Sequence, residues 1–410
     1  MFFIDFSLTS SVLRQCLVFI SDMKILIDAT EVNGPTKSLD IYSRRILYSL
    51  TDNFKHQCTI LGNRCFDEKL KNEFGDRFIC FEYEEFWPFT LNIIRHPLKT
   101  IRYLTKVNEY RRIANNYDVL LVLSQMTRML AVLPLKCKKV SIVHDIRSFV
   151  EGGKKRTGFI KKIKGVISKR DIYYMTKFSL SSANKIVAIS NFVKEEILSN
   201  LPYLKESDIT VIHNSIELVN IAVRPSWLSC DDYILSVNVI SEHKNLLTLL
   251  RAYSESRFNS KYKLLLVGKR TPYWENVIYP FILEHHLENK IESRQNLSDE
   301  ELKYLYENAK LFVSPSLYEG FGYTPVEAAI CKCPVICSAI PSLFETTMGL
   351  LNYYKPATDY RALLSCLDCI LESPILEDRL EFVSDTLIAE YDVSKQITAL
   401  ECLIMELDVM

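Results

Sequence analysis

The chain has 410 residues, more than one hydrophobic core usually covers, so two domains are expected. Apolar residues make up 48% and charged residues 24%, which excludes a disordered or low-complexity chain, and no apolar run is long enough to span a bilayer. The formal net charge of zero hides an asymmetry, because residues 1–200 carry 32 Lys and Arg against 20 Asp and Glu, whereas residues 201–410 carry 18 against 30.

Residues 1–22 form a moderately apolar lead whose only base is Arg14, without the positive start of a secretory signal. Met23 is expected to be the biological start, with residues 1–22 an upstream misassignment; the other reading is a membrane-surface extension. From Met23 onward, β-type runs at 25–28, 58–61, 119–123, 140–143, 186–189 and 209–212 alternate with helical patterns. Such alternation predicts parallel βαβ units. A polar, proline-containing stretch up to Asp232 reads as a linker, and the alternation restarts at 233–237, 263–267, 311–314 and 334–337. The expected division is an N-terminal domain at 23–217, a linker at 218–232, a second domain at 233–390 and a closing helix at 391–410. The fold class is α/β, with two doubly wound Rossmann-like domains facing across a cleft, where ligands sit beyond the carboxyl ends of the strands.

Positive charge concentrates at 154–177, where Lys154, Lys155, Arg156, Lys161, Lys162, Lys164, Lys169, Arg170 and Lys177 meet one acid, Asp171. Interleaved Phe159, Ile160, Ile163, Val166 and Ile167 give amphipathic spacing, which suits either an anionic membrane surface or a solvated helix face. A second basic stretch at 95–112 follows Phe86, Trp87, Pro88 and Phe89. No nucleic-acid recognition module accompanies these charges. The twelve cysteines argue for a reducing compartment, with Cys331, Cys333, Cys337 and the Cys366-Leu-Asp-Cys369 pair expected in core packing.

The most informative segment lies at 316–336. Glu319 and Glu327 stand eight residues apart around Gly320, Phe321 and Gly322, between an apolar strand and a helix start. At such a loop the free N–H groups and the positive helix end favour a phosphate, and glycines let the backbone approach it. A carboxylate at position 327 can reach a neighbouring hydroxyl.

This segment resembles the Glu-x7-Glu signature of the retaining GT-B glycosyltransferases, family four of the sequence-based classification, also described as glycosyl transferases group 1. The resemblance extends over roughly residues 23–400. His144, in Val143-His144-Asp145, looks like the family's His-Asp loop that contacts the transferred sugar. Ser190 resembles a helix N-cap, and His213-Asn214-Ser215 the approach to the linker. His243-Lys244-Asn245 resembles the Arg-Lys pair that meets the donor diphosphate, with His243 where Arg is frequent. Gly268 ends the next strand, and Asn296-Leu297-Ser298 resembles the loop beside the nucleobase.

The resemblance implies a retaining sugar transfer from a nucleotide-diphosphate sugar to a glycan or lipid-linked glycan, in bacterial O-antigen, capsule or other surface-polysaccharide synthesis at the inner face of the membrane, in the cytoplasm. The implied catalytic residues are Glu319, His144 and Lys244, and the implied donor-binding residues are Gly320, Phe321, Gly322, Glu327, His243 and Gly268. No Asp-x-Asp pair stands at a strand end, so neither metal nor cofactor is expected. The departures are the stretch Lys37-Ser38-Leu39-Asp40-Ile41-Tyr42 in place of a glycine-rich loop, and Lys332 and Asn238 in place of glycines. They keep open a non-catalytic GT-B subunit that binds a partner enzyme or glycan, and a sugar-nucleotide epimerase shares the architecture.

Overall fold

The computed structural model describes residues 23–30, 46–47, 56–63, 71–72, 74–82, 96–124, 135–147, 174 and 176–409. The N-terminal lead, the loop at 37–42, the aromatic group at 86–89 and nearly all of the basic stretch at 154–177 lie outside these residues.

Seven parallel strands form the first sheet: β1 Lys24–Ala29, β2 Gln57–Gly62, β3 Phe78–Cys80, β4 Val119–Val122, β5 Lys138–Val143, β6 Lys185–Ala188 and β7 Ile209–Val211. Six parallel strands form the second: β8 Tyr233–Val237, β9 Lys263–Val267, β10 Ile291–Arg294, β11 Leu311–Ser314, β12 Val335–Ser338 and β13 Asn352–Tyr354. The strand orders are β3-β2-β1-β4-β5-β6-β7 and β10-β9-β8-β11-β12-β13. Strand order reverses between β1 and β4 in one sheet and between β8 and β11 in the other. At these reversals neighbouring crossovers leave to opposite faces and open a crevice.

Parallel strands covered on both faces must be apolar on both, hence their continuous hydrophobic runs. In β1, Ile25 and Ile27 enter a core that includes residues of both sheets, while Leu26 enters a separate core beneath the first sheet with Tyr103, Val107 and Tyr110 of helix α1, Pro97–Ala114. In β9 the alternation repeats, with Leu265 in the shared core and Leu264 and Leu266 in the outer core of the second sheet.

The remaining principal helices are α2 Asn191–Asn200, α3 Leu246–Glu255, α4 Tyr279–Glu284, α5 Asp299–Asn308, α6 Tyr323–Ile330, α7 Pro341–Thr346, α8 Tyr360–Glu372, α9 Glu377–Glu390 and α10 Val393–Val409. Helix α10 reaches the end of the first half of the chain, where Gln396 Oε1 accepts from the backbone N–H of Ser215 at 3.0 Å and from its hydroxyl at 2.7 Å. Its Leu400, Leu403, Ile404 and Leu407 join the shared core.

One expectation changes in part. Cys366 of α8 packs half-buried against the outer core of the second sheet, as expected, but Cys369 is exposed, because it stands on the far side of the helix from buried Leu367. Among the described residues no group of His, Cys, Asp and Glu could hold a metal ion. Lys332 occupies the left-handed position after α6 that favours glycine, with φ 58°, and its ammonium pairs with Glu381 at 2.7 Å. It stands at the opposite end of α6 from Gly322.

Candidate active site

The two loops at the β8/β11 reversal carry the central charges. After β8 the chain makes a short turn, Glu242–Lys244, and Asn245 adopts a left-handed conformation, φ 55°, before α3 begins. Asn245 Nδ2 donates to the carbonyls of Pro315 at 3.0 Å and Ala357 at 2.9 Å, and the N–H of Leu317 donates to the His243 carbonyl at 2.8 Å. These bonds stitch the β8 loop to the β11 loop. Lys244 Nζ thereby reaches Glu319 Oε1 at 2.6 Å, and the Ser316 hydroxyl donates to the same oxygen at 2.7 Å. Both side chains remain partly open, at 17% and 12% exposure, so an incoming ligand can compete for the ammonium.

Gly320 is where the two sheets' loops meet. A Cβ there would lie 2.1 Å from the His144 carbonyl oxygen, and the Gly320 carbonyl accepts from the Ser190 hydroxyl at 2.7 Å. Ser190 also caps α2, accepting from the N–H of Val193 at 3.2 Å. The Glu319–Gly320 corner is therefore seated between the ends of β5 and β6. Gly322 begins α6 with φ 88° and no side-chain cap, and a Cβ there would lie 2.3 Å from Leu343.

His144 follows β5 directly, and its Nε2 lies 2.9 Å from the Leu123 carbonyl at the end of β4. A carbonyl only accepts, so Nε2 carries the proton. Burial pushes the imidazole pKa down to about 4, leaving His144 neutral near pH 7. His243 is also neutral: burial, followed by the charges of Arg147 and Lys244, pushes its pKa down to about 3. The structure thus puts an uncharged ring where the sequence resemblance expects a cation.

Other predicted residues separate from this corner. The Phe321 ring is buried against Tyr391, with centroids 5.2 Å apart, and against Tyr323 at 5.0 Å, so it is part of the core and only its backbone faces the loop. Gly268 has φ 138°, and a Cβ would lie 2.1 Å from the Asn238 carbonyl; this glycine permits the close approach of the β8 and β9 ends. Glu327 is 8% exposed in α6 and accepts from the Tyr306 hydroxyl at 3.1 Å. It borders a pocket of roughly 380 Å³ with Glu217, Asp299, Lys303 and Tyr306, and the Lys244–Glu319 pair is not among its walls. Its lining holds three carboxylates against one ammonium, which suits ligand hydroxyls better than phosphate oxygens.

Three participants escape sequence reading. Arg147, three residues after His144, lies with its guanidinium 5.9 Å from the Tyr318 ring centroid. The Tyr318 hydroxyl bonds to Glu196 of α2. Glu345 of α7 accepts from the N–H groups of Asn191 at 2.6 Å and Phe192 at 2.9 Å, and lies 3.2 Å from His213 Nε2. Burial alone would raise the Glu345 pKa, but the bonds from His213, Asn191 and Phe192 outweigh it and hold the carboxyl below its ordinary value.

Comparison with known proteins places the geometry in a family. The model for glycosyl transferases group 1 matches residues 225–381, and that for Glycosyltransferase Family 4 matches 52–219. The chain is 28% identical over 224 residues to the O-antigen chain mannosyltransferase RfbU of Salmonella typhimurium, covering 55% of this chain and 58% of the relative. It is 32% identical over 194 residues to the O-antigen chain mannosyltransferase B of Escherichia coli, covering 43% and 50%. The matched region thus spans about half the length of these relatives. Among solved structures, Anabaena Alr3699/HepE in complex with UDP and glucose superposes with a TM-score of 0.70 at 16% identity, over 94% of this chain and 100% of that one. The fold is GT-B.

Proposed function

This chain belongs to the glycosyl transferases group 1 family, and from that premise we propose that it is a retaining glycosyltransferase moving a sugar from a nucleotide-diphosphate sugar to a glycan or lipid-linked glycan in bacterial surface-polysaccharide synthesis. The observation that carries this reading is the Lys244–Glu319 pair at the β8/β11 reversal, seated against the His144 loop of the other sheet. Departure of a nucleoside diphosphate develops negative charge. A fixed ammonium and the uncapped start of α6 lie where they stabilise that charge selectively over the ground state.

Glu319 holds Lys244 in place and orients the donor sugar, and neutral His144 offers a polar contact without a charge. The acid-lined pocket at Glu327 takes the nucleoside hydroxyls. Relatives named as O-antigen mannosyltransferases support a mannosyl donor as the first to test. The diphosphate is neutralised by basic residues, so the reaction requires no metal ion or cofactor.

Peripheral contact with an anionic membrane is part of the same proposal, at the cytoplasmic face where a lipid-linked acceptor would be presented. Helix α1 supports it: Leu98 is 74% exposed and Ile101 60%, beside exposed Lys99 and Arg102. Among the described residues no helix is long and apolar enough to cross a membrane.

The test is a panel of UDP-, GDP-, ADP- and dTDP-sugars, reading thermal shift and released nucleotide for the wild type and Glu319→Ala. Selective stabilisation with Glu319-dependent release is expected. Silence with every donor, including in the presence of membrane-bound acceptor, would leave a non-catalytic subunit as the better reading.

A further inference from the structure

We propose that Arg147, on the loop following β5, is a phosphate-binding residue that faces the donor diphosphate across the cleft and acts as the second cation beside Lys244. The inference rests on the donor reading above and adds a residue from the opposite sheet.

The geometry comes from contacts around the Glu319 corner. The His144 carbonyl abuts Gly320, which fixes the start of the Arg147 loop against the residues that follow β11. Asp145 Oδ1 accepts from the Arg147 N–H at 3.0 Å, turning the chain so that the guanidinium lies over the Tyr318 ring, one residue before Glu319. Tyr318 is held from its other end by Glu196, so the ring is a fixed platform. Arg147 is half-buried, and among the described residues no carboxylate stands within ion-pair distance of it. A cation stacked on an aromatic face keeps its N–H donors at its edge available for an anion.

The second observation is electrostatic. The charges of Arg147 and Lys244 both act on His243, so the two cations converge on the β8 loop from opposite sheets. Lys244 already shares its ammonium with Glu319. A diphosphate with two or more negative charges is better matched by an ammonium and a guanidinium than by that shared ammonium alone. Because Arg147 belongs to the first sheet, its contact also requires the cleft to be closed, which couples donor binding to closure.

The experiment measures UDP, GDP, ADP and dTDP binding, and that of the corresponding monophosphates, by calorimetry on the full chain. Variants are Arg147→Ala, Arg147→Lys, His243→Arg and Arg147→Ala/His243→Arg, each with its unliganded melting temperature. Arg147→Ala should weaken the bound diphosphate on the order of tenfold, weaken the monophosphate less, and leave the unliganded melting temperature unchanged. His243→Arg should restore diphosphate affinity in the double variant. Equal loss for mono- and diphosphate, or failure of His243→Arg to restore binding, would overturn the assignment. Unchanged diphosphate binding with a raised KM for a lipid-linked acceptor would overturn it in favour of an acceptor phosphate. If Glu319→Ala abolishes transfer while Arg147→Ala changes nothing, the inference fails and the enzymatic reading stands; if the wild type binds no nucleoside diphosphate, both fall.

Discussion

Lys244 Nζ and Glu319 Oε1 lie 2.6 Å apart although they are 75 residues apart in sequence, because their loops leave adjacent strands on the two sides of the β8/β11 reversal. The pair is partly open, so the same ammonium is available to a diphosphate while the carboxylate stays oriented. Removing one member therefore affects the other.

Glu319→Ala and Lys244→Ala should each lower kcat by about 10² to 10³, the usual loss for one fixed donor to a developing anion. The double variant should lose less than the product of the two, because the partners act as a unit. Steady-state rates of nucleotide release check this, and fully multiplicative losses would show that the pair does not act together.

Gly320→Ala tests the seam between the sheets. A Cβ 2.1 Å from the His144 carbonyl forces backbone apart, since neither loop has a flexible side chain to yield. A displacement of roughly 1 Å at a reacting centre costs on the order of 10² in rate. Activity should fall by that amount while circular dichroism is unchanged; wild-type turnover in this variant would mean that the seam is not closed during catalysis.

Glu345→Ala removes a carboxylate from the start of α2 and from His213. Loss of such a cap costs about 1–2 kcal/mol, which for a chain of this size lowers the melting temperature by roughly 1–2 °C. Small-angle scattering should show a larger radius of gyration, because these bonds join the two halves. A lower melting temperature with unchanged dimensions would confine the role of Glu345 to capping.

Neutral His144 predicts a pH dependence. Its folded pKa is about 4, below the ordinary value of 6.5, so the unfolded chain binds the proton first. Stability contributed by the neutral ring is fully present above pH 6.5 and lost as pH falls from 6.5 toward 4. Melting temperatures across that window should fall less steeply for His144→Asn than for the wild type, and kcat should show no inflection near 6.5. An inflection at 6.5 that His144→Asn abolishes would mean that the ring titrates in the working enzyme.

The proposed metal independence is checked by turnover in excess EDTA. Rates should be unchanged, and abolition with recovery on adding Mg²⁺ or Mn²⁺ would refute it.

Sequence by itself determined the repeating strand and helix pattern, the split near residue 230 and the glycine turn between Glu319 and Glu327, because each follows from local hydrophobic period or turn chemistry. Strands β3, β10 and β13 escaped that reading, and all three are edge strands of only three or four residues, too short to set a hydrophobic period. Sequence spacing also could not reveal that Phe321 faces the core, or that His144 and His243 are neutral, since burial is a property of the packed chain. Only the tertiary structure decided the meeting of Ser190 with Gly320, of Arg147 with Tyr318 and of Glu345 with Asn191. Those contacts join loops more than a hundred residues apart, and the periodicity that builds each sheet says nothing about which of its loops another sheet will touch.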